Sequence, residues 1–220
     1  MEVKLRSRPD LLLLLSLLLV ILLDPVMDHG DWRKAVLAAL TFIPVILSTV
    51  RLSQERVFVW PSILLMLGTL VLEVASNIFH SQTLGGIRWG FLTAFFAVAA
   101  LGLFSYLRNS RLITLEHLFT AVNIYLLLAM LWASIYGAID AFYPGSIQFG
   151  SHPADHQSEL LYFSLTTLTT TGYGDVAPVS GETRMVAALE GVTGVLYIAI
   201  TVAILVSRFG SELSDLRGGK

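Results

Sequence analysis

Apolar residues along this chain do not alternate with polar ones at helical or strand spacing. They gather into long runs, at residues 11–27, 35–50, 57–79, 87–107, 116–142 and 183–209. A helix needs roughly 20 apolar residues to cross the hydrocarbon core of a bilayer, so the pattern predicts an all-α membrane protein with six transmembrane helices. Pro44 interrupts the second run. The first follows Lys4, Arg6 and Arg8, as a signal peptide would. However, Asp24-Pro25-Val26-Met27-Asp28 lacks the small residues a signal peptidase reads, and the run is expected to be retained as a helix. Between the fifth and sixth runs lies a Thr-rich stretch, 160–171, too short and too polar to span. Backbone polar groups at that depth must be enclosed by protein, which predicts a re-entrant segment with a short helix at 158–168, capped by Ser158 or Asp155.

Composition agrees with this reading. Of 220 residues, 55% are hydrophobic and only 14% charged, against about 25% charged in soluble domains. A net charge of -2 without a dense Lys/Arg cluster excludes a nucleic-acid binder. The absence of cysteine removes disulfides, thiolate metal sites and cysteine nucleophiles. Positive charge sets orientation. With the N-terminus inside, ten basic residues are cytoplasmic (Lys4, Arg6, Arg8, Arg51, Arg56, Arg108, Arg111, Arg208, Arg217 and Lys220), and four, Arg33, Lys34, Arg88 and Arg184, lie outside. Both termini are therefore expected in the cytoplasm, and the Thr-rich segment on the outer side.

That segment ends Leu168-Thr169-Thr170-Thr171-Gly172-Tyr173-Gly174-Asp175, with Pro178 close behind. It resembles the pore loop of the potassium-channel family, over roughly 116–209. The resemblance implies a selectivity filter in which backbone carbonyls of Thr170, Thr171, Gly172, Tyr173 and Gly174 replace the water shell of K+, the permeant ion. Consecutive carbonyls face one axis only if the backbone alternates with left-handed dihedrals, which Gly172 and Gly174 allow. The Tyr173 ring is expected to brace against Tyr162 and Phe163, and Asp175 to bond to Tyr162. Two departures stand out. Thr171 occupies the usual valine position, which motivates a less selective cation channel as the alternative. Thr166 stands where some relatives carry a glutamate bonded to the filter aspartate, so that brace is absent.

Since the filter occurs once, the resemblance implies a homotetramer. Gly172-Tyr173-Gly174-Asp175 also fits the G-x-G-D element of intramembrane aspartyl proteases, but the second aspartate of that family, in a Tyr-Asp pair, is missing from this chain. No catalytic residue, organic cofactor or metal beyond K+ is expected.

The resemblance divides the chain into 1–111, four helices like a voltage-sensor domain without gating arginines, 112–209, the two-helix pore domain, and 210–220, a short cytoplasmic tail. A sensor needs several arginines at every third position, and the fourth run has none between Arg88 and Arg108. Voltage dependence is expected to be weak or absent. Along the last run, Gly191 and Gly194 suit either a hinge or close packing. Ile198, Val202 and Val206, one turn apart, are cavity and gate candidates by analogy with the family. Glu190 is the one acid within that run, and a hydrogen-bonding brace behind the filter is its favoured role. Glu73 and Asn77 are expected to make a polar contact with Arg88 or His80. His152, Asp155 and His156 read as an outer loop rather than a metal or proton site. The setting expected is a prokaryotic plasma membrane. With only 210–220 after the last run, lipid, tension, pH or a regulatory subunit would have to control the pore.

Overall fold

The computed structural model describes residues 9–23, 43–44, 46–49, 56–79, 81–109, 115–150 and 156–218. They include six helices and one minimal ladder: α1 (Pro9–Leu23), α2 (Arg56–Phe79), α3 (Gln82–Asn109), α4 (Leu115–Phe142), β1 (Ile147–Gln148), α5 (His156–Leu168), β2 (Ala177–Pro178) and α6 (Gly181–Gly218). Among the described residues, four stretches are long and apolar enough to cross a membrane: Val57–Ser76, Gln82–Arg108, Leu115–Phe142 and Gly181–Ile204. At 15 residues α1 is shorter. Of the second apolar run, 43–44 and 46–49 are helical, and the rest lies outside the described residues. The last run is extended at both ends, since α6 begins at Gly181 and continues to Gly218.

α3 and α4 form the centre. Their contact is close because glycines sit under aromatic rings: a β-carbon on Gly137 would lie 2.5 Å from the Trp89 ring, and one on Gly86 would lie 2.7 Å from Phe142. Small residues at such points let helix backbones approach, and in lipid this packing replaces the hydrophobic drive between helices. The same device seats Phe91 of α3 against Gly68 of α2. On the other flank α1 lays Leu13, Leu17 and Val20 into a core with Phe95, Phe96, Leu103, Ile124 and Leu127. Asn123, fully buried, donates to the carbonyl of Asp10 at 2.8 Å, fixing α1 to α4.

Hydroxyls in these helices return to their own backbone, as Ser62 does to Phe58 (2.7 Å) and Thr69 to Leu65 (2.8 Å). This is how a lone hydroxyl is satisfied in an apolar setting. The expected polar contact of α2 is a salt bridge: Arg88 Nη1 meets Glu73 Oε2 at 2.8 Å, and the guanidinium also lies 4.5 Å from the centre of the Trp89 ring. His80 is outside the described residues.

β1 and β2 pair antiparallel, Ile147 opposite Pro178 and Gln148 opposite Ala177. The chain between them therefore starts and ends at one place. Ser180 starts α6, its hydroxyl accepting from the Thr183 N–H at 3.1 Å as an N-cap does.

Candidate functional site: a short helix and the loop that follows it

The short helix α5 begins at His156, two residues before the sequence-based expectation, so Ser158 lies inside it rather than capping it. Asp155 and His152 are outside the described residues. Its C-terminal end decides the geometry. The last four carbonyls of a helix lack intrahelical partners, and here all four are taken. Leu165 O accepts from Thr169 N (3.1 Å), Thr166 O from Thr171 N (2.8 Å) and Gly172 N (3.1 Å), and Thr167 O from Thr170 N (2.9 Å). Leu168 O accepts from the Tyr125 hydroxyl at 3.1 Å.

The bonds from Thr171 N to Thr166 O and from Thr170 N to Thr167 O form a Schellman cap, whose pivotal residue is left-handed and usually glycine. Here it is Thr170, at φ 59°. A β-carbon there costs about 1–2 kcal/mol, which the cap's hydrogen bonds offset. Gly172 (φ 52°) and Gly174 (φ 82°) are left-handed as well. Left-handed residues thus recur at 170, 172 and 174, one more than the glycines alone suggested. Such alternation turns successive carbonyls toward one side. Among the described residues no donor reaches the carbonyl of Thr170, Thr171, Gly172, Tyr173 or Gly174. Five oxygens remain for a ligand.

Of the contacts expected at the flanks, the Tyr162–Asp175 bond is formed and a Tyr173–Phe163 contact is not. The Tyr162 hydroxyl donates to Asp175 Oδ2 at 2.8 Å, and Asp175 Oδ1 accepts from Val176 N at 3.1 Å. The Tyr162 and Tyr173 rings lie parallel within 5°, centroids 6.4 Å apart. Phe163 instead packs on Tyr136, at 4.8 Å. The Thr171 hydroxyl meets that of Thr169 at 2.9 Å. Thr166 contributes its carbonyl to two loop N–H groups, while its hydroxyl bonds Phe163 O at 3.0 Å.

Behind the loop, α6 turns Thr183, Glu190 and Gly194 inward. Glu190 is fully buried, its carboxyl oxygens against Tyr136 (2.6 Å) and Ser164 (2.5 Å). Gly194 is a close-approach site, since a β-carbon would fall 1.9 Å from Leu168 O; at Gly191 the nearest atom, Thr167 O, is 3.7 Å away. Ile198, Val202 and Val206 occupy the outward face and are 51%, 52% and 64% exposed in the single chain.

Tyr125, Tyr136, Ser164 and Tyr197 were missed by sequence reasoning. Tyr197 donates to Ala121 O at 2.6 Å and its ring lies 5.6 Å from that of Tyr125, so the pair ties α4 and α6 to the end of α5. Tyrosines in apolar helices need a partner for the hydroxyl, which was a usable signal. The identity of each partner was not. Among the described residues no cluster of three His, Asp or Glu could hold a metal ion.

Long apolar helices with this capped helix and loop between the last two suit an integral membrane protein. Residues 112–211 match the family described as "Ion channel". A protein of Rhodopseudomonas palustris named as a potassium channel protein is 37% identical over 66 residues, which are 30% of this chain and 15% of that one. Human potassium voltage-gated channel subfamily A member 7 is 41% identical over 51 residues, 23% of this chain and 11% of the relative. Mouse subfamily A member 10 is 37% identical over 60 residues, 26% and 12% respectively. Residues 112–211 are thus similar to ion-channel proteins, and the three relatives named are potassium channels. The chain spans at most 15% of the length of these relatives. No solved structure matches it.

Proposed function

We propose that four copies of this chain surround one axis and conduct K+ passively, down its electrochemical gradient, through a filter of backbone carbonyls. One observation carries the reading: left-handed residues at 170, 172 and 174 beside five carbonyls without donors among the described residues. Cation passage requires oxygen ligands that replace hydration at little net cost. One copy of the loop supplies a quarter of such a ring. The apolar outward face of α6, from Met185 through Leu189, Val192 and Leu196 to Val206, supports burial against further copies and a cavity lined by Ile198, Val202 and Val206. Asp175, Tyr162, Thr166 and Glu190 support the filter, and Gly191 is the better-placed hinge, because Gly194 is needed for packing.

The protein spans the plasma membrane six times with both termini cytoplasmic, the loop facing outward and the first four helices forming one unit beside the pore. Voltage dependence is weak or absent. α3 carries no arginine between Arg88 and Arg108, and Arg88 is held by Glu73. The test is purified protein in planar bilayers under opposed K+ and Na+ gradients. A reversal potential near that of K+ is expected. A value near zero selects the non-selective alternative, and absence of current refutes the channel.

A further inference from the structure

Three helices meet at one carboxyl group behind the filter. Tyr136 of α4 lies 2.6 Å from Glu190 Oε2, and Ser164 of α5 lies 2.5 Å from Oε1. Ser164 Oγ is also 2.7 Å from the carbonyl oxygen of Ala129 on α4. A serine hydroxyl carries one proton and a backbone carbonyl none. The contact with Ala129 is therefore a hydrogen bond only if Ser164 donates there. Oxygens 2.5 Å apart need a proton between them, because that spacing lies at the short end of O–H···O bonds. Ser164 has already given its own. The Tyr136 proton serves Oε2, so the remaining one belongs to Glu190.

We propose that Glu190 works as a neutral carboxylic acid, a positioning residue that donates from Oε1 to Ser164, which donates on to Ala129 O, while Oε2 accepts from Tyr136. The opposite assignment takes the Ser164 proton for a carboxylate, strips the Ala129 contact of its hydrogen and buries a full negative charge. No Lys or Arg among the described residues pairs with Glu190, and such an unpaired buried charge is strongly disfavoured. A neutral acid offers a donor and an acceptor from one planar head, as this site requires; a carboxylate only accepts. The inference rests on the channel reading for its purpose. Ser164 stands two residues before Thr166, whose carbonyl holds the Thr171 and Gly172 N–H groups, so Glu190 sets the filter backbone through α5.

Infrared difference spectra of the purified full chain at neutral pH, wild type minus Glu190→Gln, test the proton directly. The expected spectrum has the C=O stretch of a protonated carboxylic acid, shifted in D2O, present in wild type and lost in the variant. Carboxylate bands in its place overturn the proposal. Glutamine can donate to Ser164 and accept from Tyr136, so E190Q should keep K+ current and filter inactivation within about twofold of wild type. Glu190→Ala removes both bonds and should shorten the conducting lifetime about tenfold or more. E190Q behaving like E190A also overturns the proposal. Tyr136→Phe provides a second reading if E190Q does not assemble: the acid band must persist but move, as Oε2 loses its donor, and an unmoved band refutes the assignment. If the acid band is found and no K+ current flows, the channel reading fails while the proton assignment stands.

Discussion

Replacing Gly194 with alanine separates packing from bending in the inner helix. The added methyl would sit 1.9 Å from Leu168 O, 2.9 Å from Leu168 C and 3.2 Å from Leu168 Cδ1. Contacting carbons prefer about 3.5–4 Å, so α5 and α6 must part by roughly 1.5 Å. The obstacle is backbone, and it is also the carbonyl held by Tyr125, so no side chain can rotate away. Overpacking of this kind costs about 1–3 kcal/mol, against a helix-propensity gain for alanine of about 1 kcal/mol. A net loss of up to about 2 kcal/mol per subunit would be felt four times in the proposed tetramer. Gly191→Ala is the control: its nearest neighbour is 3.7 Å away, an ordinary contact, and it should gain up to about 1 kcal/mol. The assay is thermal dissociation of the detergent-solubilised oligomer, read by size-exclusion chromatography, with K+ flux from liposomes alongside. G194A should dissociate at lower temperature, and G191A at the same or a higher one. Equal stability of G194A and wild type, with only a reduced open probability, would make Gly194 a hinge and refute the packing argument.

Tyr162→Phe deletes the 2.8 Å bond to Asp175; a bond to a charged group is worth about 1.5–3 kcal/mol, and less where exposed, so current decay under sustained opening should quicken several-fold, as macroscopic recordings would register. Thr170→Gly removes the cost of a left-handed β-carbon, about 1–2 kcal/mol, along with a hydroxyl beside the loop. The oligomer should be as stable as wild type in Na+ while losing part of its stabilisation by K+, read as the difference in melting temperature between the two salts. Gly137→Ala drives a methyl into the Trp89 ring, 2.5 Å away, and should cost about 1–3 kcal/mol, partly recovered in G137A with Trp89→Leu; a double-mutant cycle showing no coupling would contradict the seat. Neutralising Arg108 should leave the conductance–voltage relation shallow and unmoved, and a steep curve that shifts would restore a voltage sensor.

The hydrophobic runs and the Thr-rich interruption were enough to place α2, α3 and α4 to within about five residues and the start of α6 to within two, because spanning hydrocarbon demands length and apolarity, and both are local properties of sequence. The loop motif, the Tyr162–Asp175 bond and the Glu73–Arg88 pair were legible for a related reason. Filter backbones need glycine at defined positions, and a lone charge in an apolar run has few partners within reach. Glu190 was conspicuous as an acid, but Ser164 and Tyr136 were not, since they stand 26 and 54 residues away among hydroxyls that look alike in sequence. The left-handed Thr170 was equally hidden. A threonine there is unremarkable until the two bonds that close the end of α5 force its backbone. Whether Gly194 bends or packs could not be read from spacing either, because the deciding atom, the carbonyl of Leu168, belongs to another helix. Sequence alone determined which segments are long and apolar enough to cross a membrane and where the filter-like motif lies, since those depend on composition over a stretch. Tertiary structure alone decided which hydroxyl meets which carboxyl and which glycine has no room, since those depend on the approach of helices far apart along the chain.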